Sequence, residues 1–86
     1  MQEISELIEN PTLELSELVI QSIDRVKQRG DIFVLKGDGE RDAKGYTVFI
    51  TRPSTGSDMI RCDSDDLRNA IIDVLRRYVG NSVETE

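Results

Sequence analysis

The chain has 86 residues, of which 33% are charged and 37% belong to the hydrophobic set, with a formal net charge of −6. That length allows one domain with its own core, and the balance is that of a folded chain rather than a disordered one. With no histidine and a single cysteine, an intrachain disulfide and imidazole-based catalytic triads are excluded, and the acidic balance disfavours nucleic-acid binding through a general basic surface.

The first ten residues, MQEISELIEN, contain no basic residue and no apolar core of signal-peptide length. Ile4, Leu7 and Ile8 recur at helical spacing, and Pro11 ends the segment. Residues 1–11 are therefore expected to form a short helical piece that must dock on something to persist.

The next segment is a strong amphipathic helix. Leu15, Leu18, Val19, Ser22, Ile23 and Val26 form one stripe, with Thr12 or Ser16 as candidate caps and Gly30 as the left-handed residue at its end.

Strands follow. DIFVLKG is apolar on both faces, Gly37 to Gly45 reads as a loop, and GYTVFIT alternates Tyr46, Val48 and Ile50 against Thr47, Phe49 and Thr51. A turn around Pro53 and Gly56 leads to a third strand, SDMIRC, with Ile60 and Cys62 opposite Met59 and Arg61. The longest unbroken apolar run, Ile32 to Leu35, is far too short to span a membrane, so no membrane partner and a cytoplasmic location are expected.

Leu67, Ala70, Ile71, Val74, Leu75 and Tyr78 repeat the helical stripe; Gly80 is expected to close this helix and 81–86 to be a flexible tail. The predicted fold is α+β, a single domain over 1–86. Its core, residues 14–80, is a three-stranded antiparallel β-meander with two amphipathic helices on one face, in the order α-β-β-β-α.

The stretch RCDSDDLRNA concentrates acids where the last helix begins. The simplest reading is capping: Asp63 or Ser64 accepts from the first-turn amides, while Asp65 and Asp66 sit at the positive end of the helix dipole. A calcium loop is the second reading, for the acids at alternate positions from Asp38. It fails because Ala43 stands where glycine is needed and Phe49 where glutamate is needed. Asp63-Ser64 followed by Leu67 is also similar to the carrier-serine region of acyl carrier proteins, but those are all-helical, and DIFVLKG and GYTVFIT are strands. No metal or cofactor is expected.

The α-β-β-β-α order over residues 14–80 resembles the double-stranded-RNA-binding domain. That family reads RNA with the start of its last helix, its first inter-strand loop and its first helix, and places a lysine cluster at the last helix. Here Asp63, Asp65 and Asp66 occupy those positions, so the resemblance implies topology and carries no binding residue across.

Following the chain through this topology yields two charged ends. Glu14, Glu17, Asp63, Asp65 and Asp66 form an acidic pole at the helix starts. Arg25, Lys27, Arg29, Arg52, Arg76 and Arg77 gather as a basic pole at the helix ends. The sheet face away from the helices should carry Phe49, Met59 and Arg61 with two residues of the first strand, Phe33 and Leu35 in one register or Ile32 and Val34 in the other. We assign Phe33, Leu35, Phe49, Met59 and Arg61 as its apolar surface. Either the N-terminal helix folds over it or it receives a second copy of the chain or a different protein. No catalytic constellation is specified by spacing. The expected function is a non-enzymatic protein-interaction module acting as adaptor, inhibitor or regulator. The alternatives are nucleic-acid binding through the basic pole, or an acidic pole that imitates nucleic acid to block another protein.

Overall fold

The computed structural model describes residues 3–53 and 57–84. The order is α1 (Ile4–Ile8), α2 (Leu15–Gln28), β1 (Ile32–Gly37), β2 (Tyr46–Arg52), β3 (Ser57–Ser64) and α3 (Leu67–Glu84), with the strands in one antiparallel sheet ordered β1-β2-β3. This is the α+β meander read from the hydrophobic periodicities. The tip of the turn after Pro53, including Gly56, lies outside the described residues, as do the last two residues of the expected tail.

α2 packs on β1, and α3 on β2 and β3. The core they share contains Leu18 and Val26 of α2, Val48, Ile50 and Ile60 of the sheet, and Ala70, Ile71, Val74, Leu75 and Tyr78 of α3. Both helices therefore cover the same sheet face. α1 is only five residues long and docks on α2 and α3, where Ile4 and Leu7 are buried. It closes the helical layer and leaves the outer face of the sheet uncovered.

The ends of α2 differ from each other. Its C-terminus stops as expected: Gly30 has φ +83, its N–H donates to the Lys27 carbonyl, and the Asp31 N–H donates to that of Val26. This pair of bonds is a Schellman turn, which only a residue tolerant of the left-handed region closes cheaply. At its N-terminus neither Thr12 nor Ser16 caps. Glu14 is the cap residue without a side-chain bond, and Thr12 turns back so that its N–H and hydroxyl both donate to Asn10 Oδ1.

α3 runs through Gly80 to Glu84, four residues beyond the expected stop. An interior glycine costs a helix only about 1 kcal/mol, and the turns just before it bury Val74, Leu75 and Tyr78. Arg76 and Arg77 consequently lie in mid-helix, away from the negative end of its dipole. Among the described residues no helix is long and apolar enough to cross a membrane.

Candidate interaction surfaces and the charged ends

The register fixes which residues share a face. Phe33 lies opposite Ile50 and Leu35 opposite Val48, and opposed residues of an antiparallel ladder point the same way. Phe33 and Leu35 therefore point into the helix-covered core and are packed against it. This corrects their assignment to the outer surface. A strand apolar on both faces gives no alternation from which to read its orientation, and the pairing with β2 decides it. The outer face instead carries Ile32, Val34 and Lys36 from β1, Thr47, Phe49 and Thr51 from β2, and Met59, Arg61 and Asp63 from β3. Ile32 and Met59 are 50% and 48% exposed, and Val34 and Phe49 are half-buried between them.

One end of this face is built around Asp63. Its Oδ1 accepts from the Thr47 hydroxyl on the neighbouring strand, from Arg41 Nη1 at 3.3 Å and from Arg61 Nη2 at 3.4 Å. These donors, the Thr47 hydroxyl first, lower the pKa of its carboxyl to about 2. The cap of α3 is Asp66, not Asp63 or Ser64: Asp66 Oδ1 accepts from the Asn69 N–H at 3.0 Å, three residues on. Ser64 Oγ accepts from the Asp66 N–H, and Asp65 Oδ1 accepts from the Lys44 N–H at 2.5 Å. That last bond fastens the 38–45 loop to the start of α3, where Lys44 takes the left-handed φ of 55. Glu17 accepts from Gln21 one turn on. Every acid of the Asp63–Asp66 run that was read as part of a negative pole thus has an internal assignment.

The basic residues divide in the same way. Arg25 and Arg52 are 8% and 7% exposed. Arg25 bonds Asp24 and Gln21, while Arg52 stacks on the Tyr78 ring and donates to the Tyr78 carbonyl at 2.7 Å. Arg29 covers the same ring 5.4 Å from its centroid, and the Tyr78 hydroxyl donates to Asp31 at 2.6 Å. Burial first, then that bond, pushes the Tyr78 phenol up to about 12. This knot clamps the middle of α3 to the start of β1 and the end of β2. The alternation of GYTVFIT shows that position 52 falls on the inner face, but only the pairing with Tyr78 explains a buried arginine there. Arg77 lies elsewhere, paired with Asp73 at 2.8 Å and donating to the Arg61 carbonyl on β3. Lys27 and Arg76 are exposed.

Cys62 faces inward, where burial pushes its thiol pKa up and its Sγ donates to the Asp63 carbonyl at 3.8 Å. A shallow depression of about 320 Å³ is lined by Gly37, Asp38, Gly39, Gly45 and Tyr46, and Asp38 is the one carboxylate among these described residues. Comparisons with known proteins return nothing: no family model, no curated protein and no solved structure matches this chain.

Proposed function

We propose that the protein is a non-enzymatic interaction module that receives another protein on the outer face of its sheet. The observation that supports this reading is the docking of α1 on the helices. The segment that could have covered the sheet closes the core elsewhere, and Ile32, Val34, Phe49 and Met59 are left facing solvent. An apolar centre bordered by Arg61, Asp63 and Lys36 has the make-up of a protein interface, with charge at the rim fixing orientation. The inward commitment of Arg25 and Arg52 weighs against phosphate binding at the basic end, since a buried guanidinium cannot displace counterions from a nucleic acid.

The test uses the wild-type chain and Phe49→Asp as parallel baits in source lysate treated with nuclease. The expected result is a protein retained by the wild type and lost from the variant, with both baits equally folded by circular dichroism. A wild-type chain that is strictly monomeric and retains no protein overturns the proposal.

A further inference from the structure

The two edges of the sheet are not equivalent, and the difference can be read from hydrogen-bond parity. The Asp38 N–H donates to the Gly45 carbonyl at 2.7 Å, and the register continues this opposed pair into Lys36/Thr47, Val34/Phe49 and Ile32/Thr51. In an antiparallel ladder alternate pairs exchange hydrogen bonds. Those four pairs bond β1 to β2, so the N–H and C=O groups of Phe33, Leu35 and Gly37 point away from the sheet. On β3 the same parity turns the backbone groups of Arg61 and Asp63 outward. There the Arg61 carbonyl is taken by Arg77 Nη2 at 2.5 Å and the Asp63 carbonyl by Cys62 Sγ. Among the described residues no side chain occupies the corresponding groups of β1.

The helix above β1 adds a second observation. With β2 pointing up and the helices toward the viewer, L-chirality and this parity place β1 on the left. α2 runs parallel to β2, and its buried line is Leu18, Ser22, Arg25 and Val26. Its right-handed turn at about 100° per residue then carries Val19 and Ile23 to the left, over the free edge, and turns Glu17 and Asp24 away from it. Ile23 is 44% exposed. The edge and the helix flank together form a groove with bonding groups on its floor and an apolar wall.

Charge distinguishes the occupant. In a chain of net charge −6, the groove is bordered by Lys27 on α2 and Lys36 on β1, and neither lysine forms an ion pair among the described residues. We infer that this groove takes an extended segment of a partner protein as a fourth strand, with apolar residues on the side beneath α2 and carboxylates on the alternate side beside Lys36. A second folded copy does not fit. Pairing β1 with β1 would bring two α2 helices about 5 Å apart at strand spacing, where helices need about 8–10 Å. The occupant is therefore a strand without a helix of its own above it, the β-augmentation mode of peptide recognition.

The probe is an acetylated, amidated octapeptide alternating valine and glutamate, with a valine–lysine peptide as its counterpart, added to the isotopically labelled full chain. The acidic peptide is expected to slow hydrogen exchange at least about tenfold at the Phe33, Leu35 and Gly37 amides, leaving Val34 and Lys36 protected as before. Its binding should weaken with salt, fall at least about tenfold in Ile23→Asn, and survive in Met59→Asn, which alters only the outer face. Absence of protection at those three amides overturns the inference. So does equal binding of the lysine peptide, or protection of the same amides by self-association without peptide.

Discussion

Asp63 shows how much one carboxylate can organise. It stays ionised in the folded chain down to about pH 2, whereas its ordinary value, reached on unfolding, is 3.8. The unfolded state therefore binds the extra proton between those values. The stabilisation is fully present above about pH 4 and is lost as pH falls through about 2. The difference in urea midpoint between the wild type and Asp63→Asn should accordingly be largest near neutrality and shrink across that window. Thr47→Val removes the first cause of the shift and should move the Asp63 carboxyl titration, followed by its carbon chemical shift, back toward 3.8. Ser22 is the opposite case, a fully buried hydroxyl on α2 with no hydrogen-bond partner among the described residues. Leaving such a group unpaired costs about 1–3 kcal/mol, and alanine is the better helix former. Ser22→Ala should leave the fold intact and raise the unfolding midpoint; a fall in Tm would show that the hydroxyl is paired after all.

Two glycines separate what a helix needs at its end from what it tolerates inside. Gly30 closes α2 at φ +83, where a Cβ costs about 1–2 kcal/mol, so Gly30→Ala should destabilise by about that amount. Gly80 lies within α3 with no atom within 4 Å of an added Cβ, so Gly80→Ala should stabilise by about 0.5–1 kcal/mol. Chemical denaturation of both variants reads this difference in sign. The elements themselves were legible because helical and strand periods differ sharply: the Leu67–Tyr78 stripe and the alternation of GYTVFIT admit one reading each. What was not legible had physical causes. Ile32 to Leu35 is apolar at every position, so only pairing with β2 could orient it. Leu15 and Ile23 fall on the α2 stripe yet are exposed, because α2 lies at the rim of the layer and its stripe is wider than the sheet beneath it. The acids at 63 to 66 were rightly linked to the start of α3, but which one caps depends on where the first turn begins, a matter of one residue.

At the scale of the whole molecule, the expected electrical polarity becomes a set of local closures. Asp63 holds Thr47, Arg41 and Arg61; Asp65 holds the 38–45 loop; Arg29 and Arg52 both lie over the Tyr78 ring. Charges engaged in this way fasten the ends of the sheet to the helices. Lys27 and Lys36 are exposed beside the β1 edge, and Arg76 is exposed on α3. The outer face and the proposed β1 groove adjoin at Lys36, which borders both. The guard that Arg77 places on the β3 rim has a consequence of its own. A cross-β fibre grows only if each subunit both receives a neighbour and offers itself to the next. On β3 the Arg61 carbonyl is already taken among the described residues, so a strand added at β1 would leave no equally open margin for the next to join.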